Sequence, residues 1–188
     1  LYTPTTGEIT ICGNPYEEVL ADLRVKCSTL FQDFGTYETT IRENITMGCL
    51  DGVLSEQEIN SVCKKVGLLE WINTLPNGVD TPIGRFEEDG IDLSGGQWQK
   101  IAIARSMARK HRRILIMDEP NAALDPIAEA TIYKDVLANV RDDETLILIS
   151  HRLGAIKYVD RIIVMENGSI IEEGTHSQLM KLNGKYRE

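Results

Sequence analysis

The sequence lacks an excess of positive charge, a long apolar run and closely spaced cysteines. Its 188 residues include 29 acidic and 20 basic ones, and the net charge of −9 argues against a nucleic-acid-binding surface. No apolar stretch approaches the roughly 20 residues that a membrane-spanning helix needs. The four cysteines contain no C-x-x-C pair, so neither a zinc site nor a redox motif is indicated. A hydrophobic content of 42% suits one folded domain with a sizeable core.

A further absence concerns phosphate binding. The pattern G-x-x-x-x-G-K-[ST], whose backbone amides and lysine hold nucleotide phosphates, occurs nowhere in the chain. The chain does have Leu93-Ser94-Gly95-Gly96-Gln97, followed by a helix-forming run from Trp98 to about Lys110. In this run Ile101, Ala104, Arg105 and Ala108 recur at helical spacing, which predicts a face that packs in the core. Ser94 can cap this helix, and the two glycines leave the first backbone amides open to an anion. Taken alone, the pentapeptide is also compatible with an ordinary serine cap after a flexible loop.

Two short apolar segments lead directly into polar residues. Ile114 to Met117 precedes Asp118-Glu119-Pro120, and the segment from Leu146 to Ile149 precedes Ser150-His151. Unbroken apolar runs of this length are typical of parallel strands buried on both faces. Since α/β sheets bind ligands at the carboxyl ends of their strands, we expect these polar residues to share one edge.

These segments resemble, in order and spacing, the nucleotide-binding domain of ATP-binding-cassette (ABC) transporters. Leu93 to Gln97 matches the signature motif of that family, Ile114 to Glu119 its Walker B strand, and His151 its switch histidine. The resemblance implies an α/β fold of the P-loop NTPase type, with a mostly parallel sheet flanked by helices and an inserted helical subdomain. The family's N-terminal P-loop strand and helix have no counterpart, so we expect the sequence to be a piece of a longer protein.

The resemblance also implies how the single domain, residues 1–188, is divided. Residues 39–92, approximately, correspond to the helical subdomain, and residues 1–38 and 93–188 to the catalytic core. Helical patterns over 55–66 and 68–75 agree with this division, and Ser55 with Glu58 has the spacing of a capping box. The 75–84 segment looks like the exporter branch of the family.

Residue roles follow from the same resemblance, with ATP and Mg²⁺ as the implied cofactors. Glu119 corresponds to the general base, and His151 to the residue that contacts the γ-phosphate. Asp118 corresponds to the magnesium-holding aspartate, and Gln32, after an apolar-rich strand from Lys26 to Phe31, to the glutamine that contacts magnesium and the attacking water. A glutamine amide both donates and accepts hydrogen bonds, so it can sense a phosphate.

The signature residues imply a second nucleotide-binding domain as partner. Ser94, Gly95, Gly96 and Gln97 would bind the γ-phosphate of ATP held by that partner in a head-to-tail dimer. Asp125 matches the aspartate that communicates across the dimer, although Asn121 stands where the family more often has threonine.

The whole protein is then expected to be an exporter ATPase at the cytoplasmic face of the cell membrane, attached through a transmembrane domain outside this sequence. We expect the segment alone to bind ATP weakly or not at all. One alternative is a degenerate, non-hydrolytic module that regulates or scaffolds a catalytic partner. Another is a soluble relative acting on DNA or ribosomes, which the acidic balance disfavours; no nucleic-acid partner is predicted.

Several smaller features complete the sequence-based interpretation. Residues 8–12 are predicted to form a strand between two turns. The basic cluster 109–113 is predicted to be a solvated connection between a helix and a strand. Glu87-Glu88-Asp89 is either a loop that couples to membrane helices or simply a solvated loop. Asn167-Gly168 predicts a hairpin turn, and His176 is interpreted as a surface residue near a helix start.

Overall fold

The computed structural model describes residues 4–50, 52–84, 89–119, 126–150 and 153–187. The first half of the described chain contains β1 (Thr10–Ile11), β2 (Asn14–Pro15), α1 (Tyr16–Lys26), β3 (Cys27–Leu30), α2 (Ile41–Thr46), α3 (Glu56–Lys65), α4 (Leu69–Ile72) and a 3-10 turn (Gly78–Asp80). The second half contains α5 (Gly95–Met107), β4 (Ile114–Asp118), α6 (Pro126–Leu137), β5 (Thr145–Ile149), α7 (Leu153–Ile156), β6 (Ile162–Glu166), β7 (Ser169–Gly174), α8 (His176–Leu182) and a 3-10 turn (Lys185–Arg187).

The central sheet has three parallel strands in the order β3-β4-β5. Leu30 lies opposite Met117, and Asp118 lies opposite Ile149, so the carboxyl ends of the strands are level within about one residue. The helices between consecutive strands make the parallel connections possible, because such a strand pair needs a long crossover. In the described residues β6 and β7 form a separate antiparallel hairpin, as Asn167-Gly168 predicted.

Among the helix starts that the structure describes, four share the same capping arrangement. In each, a serine or threonine side chain accepts the backbone N–H of the residue three positions later, whose own side chain accepts the first residue's N–H. The predicted capping box at Ser55 and Glu58 is confirmed. The four pairs are Thr40 with Glu43, Ser55 with Glu58, Ser94 with Gln97, and Thr175 with Gln178.

The main core lies between α5 and the layers on either side of it. Ile101 and Ile103 of α5 are fully buried together with Ile41 and Ile45 of α2, and Leu115 of β4 belongs to the same cluster. Gly48, just after α2, lies directly against the backbone of α5. A Cβ atom added there would lie 1.8 Å from the backbone oxygen of Arg105, so only glycine fits.

The amino-terminal segment differs from the sequence-based interpretation. The predicted strand over residues 8–12 is reduced to the two residues of β1, which pair with Asn14–Pro15. Helix α1, which the sequence analysis did not identify, follows directly and contains no buried residue. Acidic residues in its first turn and basic residues in its last turn interact favourably with the helix dipole. However, α1 has no apolar face by which the sequence would reveal it.

The prediction for the basic cluster 109–113 is wrong for two of its members. Arg109 is 8% exposed and Arg112 is 3% exposed. Arg112 donates hydrogen bonds to the carbonyl oxygen of Met107 and forms a bidentate ion pair with Glu144. Buried arginines need such partners, because an unpaired charge in a core is expensive. The cluster therefore fastens the end of α5 to the start of β5.

A second, smaller cluster contains Ile162, Leu179 and Tyr186 and joins the hairpin to α8. His176 is partly buried there, and its Nδ1 lies 2.8 Å from the hydroxyl oxygen of Tyr186. It is thus a packed residue with a partner, unlike the exposed residue that the sequence indicated. Elsewhere, Ile147 and Ile149 on the edge strand β5 are 45% and 47% exposed.

Candidate functional site

The carboxyl edge of the central sheet gathers the predicted catalytic residues that the structure describes. Gln32 lies two residues beyond the end of β3, Asp118 ends β4 with Glu119 next to it, and Ser150 follows β5. The level strand ends place these residues at one edge. His151, Asp125 and Asn121 lie outside the described residues, as do Glu87 and Glu88.

Glu119 has an unusual backbone. Its φ is +38°, in the left-handed region, which costs a residue with a side chain roughly 1–2 kcal/mol. Its N–H donates to the carbonyl oxygen of Ile149, at 3.0 Å, so the turn is tied to β5. Such strain at the end of a central strand is typical of functional sites. The left-handed turn redirects the chain at the predicted general base.

The donor set at the edge suits a hard metal ion but does not complete a site. Asp118 is partly buried, and Gln32 is exposed. Carboxylate and amide oxygens are the ligands that Mg²⁺ prefers, usually with waters and substrate phosphates completing its shell. Within the described ranges no three His, Cys, Asp or Glu residues are grouped to hold an ion.

The signature pentapeptide starts α5 as predicted. Ser94 Oγ accepts the N–H of Gln97, at 3.3 Å, and Gln97 Oε1 accepts the N–H of Ser94, at 2.8 Å. Gly95 and Gly96 are the first two helical residues, and first-turn N–H groups have no acceptor within their own helix. Gln97 is therefore engaged in the cap, and its binding to nucleotide stays a prediction.

The signature and the strand edge are separate along α5. Arg105, in the last turns of this helix, contacts the glutamine loop, which we define as residues 31–37. Roughly 17 Å of helix axis separates Ser94 from Arg105. The start of α5 at Ser94 is thus displaced from the part of the helix that packs beside β3.

Sequence reasoning missed the polar contacts of Arg105. The spacing of Ile101, Ala104, Arg105 and Ala108 was interpreted as a core face, and the structure indeed buries the other three. Arg105 donates instead to the carbonyl oxygens of Gly35 and Asn44. The signal was present in the sequence, because an arginine on a buried face requires acceptors.

Comparison with known proteins identifies the family. The family model described as ABC transporter matches residues 1–122. The chain is 39% identical over its whole length to the ABC-type transporter fsqE of Aspergillus fumigatus, of which it covers 14%. It is also 39% identical to the ATP-dependent lipid A-core flippase of Pasteurella multocida, of which it covers 31%. The subtilin transport ATP-binding protein SpaT of Bacillus subtilis is 40% identical, with 30% of its length covered.

Comparison with solved structures leads to the same family as these relatives. A bacterial Atm1-family ABC exporter with ATP bound superposes with a TM-score of 0.84 and 35% identity, covering 99% of this chain and 32% of that one. The P-loop NTPase-type fold is thereby confirmed. The chain spans about a third or less of the relatives' length. No helix within the described ranges is long and apolar enough to cross a membrane. The chain belongs to the ABC transporter family.

Proposed function

We propose that this chain is the ATP-binding and ATP-hydrolysing part of an exporter that moves a substrate across a membrane. The observation that carries the proposal is the level carboxyl edge of β3, β4 and β5, with Gln32, Asp118 and Glu119 on it. Fold similarity by itself would not justify the activity, but the matching side chains stand at the positions where such a sheet binds nucleotides.

Each residue at the edge has a chemical task in this proposal. Glu119 acts as the general base that orients and deprotonates the attacking water. Gln32 contacts that water and the metal, and Asp118 holds Mg²⁺. When bound, the ion would supply positive charge that neutralises the phosphate oxygens. His151 and Asp125, outside the described residues, are proposed for the γ-phosphate contact and for communication across the dimer.

The phosphate-binding loop is proposed to come from a part of the protein outside these 188 residues. The relatives are at least about three times longer, and this chain contains no such loop. Ile147 and Ile149, close to half exposed on the edge strand, offer apolar surface against which an additional strand could pack. A transmembrane domain is also proposed to lie outside these 188 residues, supported by the greater length of the relatives. It would place this domain at the cytoplasmic face of the membrane.

The signature is proposed to serve a nucleotide held by a second domain. Ser94 lies far along α5 from the helix's contact with the glutamine loop, so Gly95 and Gly96 present their amides elsewhere than at the strand edge. Two domains paired head to tail would bring each signature to the other's nucleotide.

ATP binding measured by calorimetry with magnesium tests the proposal. We expect a form extended upstream through the next strand and helix to bind ATP, and the 188-residue chain to bind it weakly or not at all. In the extended form, Glu119→Gln should abolish hydrolysis and keep binding, because glutamine preserves the shape but cannot accept the proton.

Glu166→Gln is a matched control, since it removes an exposed carboxylate at the end of another strand. It should leave hydrolysis unchanged. If neither form bound ATP, the proposal would be refuted in favour of a non-hydrolytic regulatory module. Sedimentation of the ATP-loaded Glu119→Gln form should show a dimer, and a monomer would refute the proposed pairing.

A further inference from the structure

We propose that Arg105 is a positioning residue that fastens the glutamine loop to the signature helix α5, so that Gln32 and the signature move as one unit. The inference rests on the proposed function, because it assigns a mechanical role within ATP hydrolysis. It concerns a group that touches neither nucleotide nor metal in that proposal. The residues involved are called the arginine clamp: Gly35, Tyr37, Asn44 and Arg105.

The guanidinium of Arg105 makes three hydrogen bonds to this clamp. Nη1 donates to the carbonyl oxygen of Gly35 at 2.8 Å, and Nε to that of Asn44 at 2.9 Å. Nη2 donates to the side-chain oxygen of Asn44 at 2.6 Å. The guanidinium carbon also lies 4.7 Å from the centre of the Tyr37 ring. One side chain of α5 therefore reaches the glutamine loop and α2 simultaneously.

Asn44 forms the other half of the clamp. It is fully buried, and its Nδ2 donates to the carbonyl oxygens of Tyr37 and Thr40 and lies 3.0 Å from Thr39 Oγ1. The side-chain oxygen of Asn44 thus accepts a hydrogen bond from Arg105, and its nitrogen donates hydrogen bonds to the chain that follows Gln32. A leucine of similar size could fill the space but could do neither.

The chemistry of the contacts indicates positioning more than ion pairing. The acceptors of Arg105 are carbonyl oxygens, and burial lowers the pKa of Arg105. A guanidinium presents its N–H donors in a fixed planar arrangement that can bond several neutral acceptors at once. Lysine lacks this arrangement. Tyr37 closes over Gly35, where a Cβ atom would lie 2.7 Å from the tyrosine hydroxyl. The loop is therefore shaped to fit under the ring and onto the guanidinium.

The clamp joins two parts that the proposed mechanism needs in register. Gln32 lies three residues before Gly35, and the signature begins the same helix that carries Arg105. A shift of the glutamine loop away from α5 must break the bonds to Arg105 or carry the helix along. Positional errors near 1 Å cost catalysis up to about a hundredfold, so this coupling affects turnover directly.

A double-mutant cycle on ATP hydrolysis by the full-length protein tests the inference. We expect Arg105→Lys to lower kcat about tenfold and to leave KM for ATP within about twofold. Gln32→Ala should lower kcat in the parent protein, but by less than about twofold further when Arg105→Lys is present, because both changes disable the same unit. Multiplication of the two effects would overturn the inference.

A second variant separates positioning from folding. Asn44→Asp keeps an oxygen for Arg105 but removes the donors to the loop, so kcat should fall with the same non-additivity toward Gln32→Ala. A parental kcat in Asn44→Asp, or in Gln32→Ala, would overturn the inference. Arg42→Lys is the matched control, since this arginine leaves the same helix α2 toward Asp80 and not toward α5; it should leave kcat unchanged.

The outcome for the parent protein separates the two proposals. A full-length parent without ATP hydrolysis would refute the proposed function and this inference with it. An active parent whose Arg105→Lys and Gln32→Ala effects multiply would refute the inference alone.

Discussion

Removing the carboxylate of Glu144 should destabilise the protein far more than removing that of its neighbour Asp143. Glu144 pairs with Arg112 and Asp143 with Arg113, so both ion pairs join the segment before β4 to the segment before β5. Arg112 and Glu144 have side chains 4% and 0% exposed, whereas Arg113 and Asp143 are each 55% exposed. The comparison therefore varies burial while residue type and neighbourhood stay nearly constant.

The expected magnitudes follow from what each change leaves behind. Glu144→Ala leaves the guanidinium of Arg112 buried without its countercharge, which costs about 3–5 kcal/mol. The backbone N–H of Arg141 also loses an acceptor, since it donates to Glu144 at 3.3 Å. Asp143→Ala removes exposed ion pairs with Arg113 and Arg141 that water already screens, together worth at most about 1 kcal/mol. Against a total stability of about 5–15 kcal/mol, only the first loss is large.

Urea and thermal unfolding of the two variants provide the assay. Glu144→Ala should lower the melting temperature by roughly 6–20 °C, and Asp143→Ala by less than about 4 °C. Equal losses in the two variants would refute the argument that burial decides the value of these pairs. A larger loss of stability in Asp143→Ala would show that the exposed ion pair contributes more to stability than the buried one.

Three further predictions concern packing, acid stability and thiol chemistry. Gly48→Ala should cost about 1–3 kcal/mol in unfolding free energy, because the added Cβ atom would overlap a backbone oxygen of α5. Gly154→Ala should not destabilise the protein, because no atom lies nearer than 3.9 Å to the added Cβ atom. Equal losses of stability in the two variants would contradict this argument. Hydrogen bonding to Lys110 lowers the pKa of Glu58 to about 2 from 4.5, so its stabilising effect is complete above pH 4.5 and is lost as the pH falls toward 2. Unfolding midpoints of Glu58→Gln should therefore change less across that window than those of the parent, and parallel curves would contradict it. Burial raises the pKa of Cys63 to about 11, so alkylation followed by mass spectrometry should label it only after unfolding; labelling of the native protein would contradict its burial.

Local sequence patterns predicted the central sheet and the signature helix well. The apolar runs before Asp118 and Ser150 became β4 and β5, and Ser94 caps α5 because a short hydroxyl side chain reaches an N–H three residues ahead. These features depend on neighbours in the chain, so the sequence contains the information that they need. The division at residues 39 and 92 and the roles of the site residues stay predictions.

Patterns failed where the partner is distant in the chain. Arg112 was interpreted as solvated because it lies between a helix end and a strand, but its countercharge, Glu144, lies 32 residues away and buries it. Arg105 was treated as part of an apolar face, and its acceptors are 61 and 70 residues away. Helix α1 was missed since no buried side chain gives it an apolar period.

The sequence by itself determined the family motifs, the strands β4 and β5 with the polar residues that follow them, and the start of α5 at Ser94. Only the tertiary structure decided which charges are buried and which loops are held together. The physical reason is that periodicity and capping act over three or four residues, whereas the burial of Arg109 and Arg112 depends on acceptors that folding brings from remote segments.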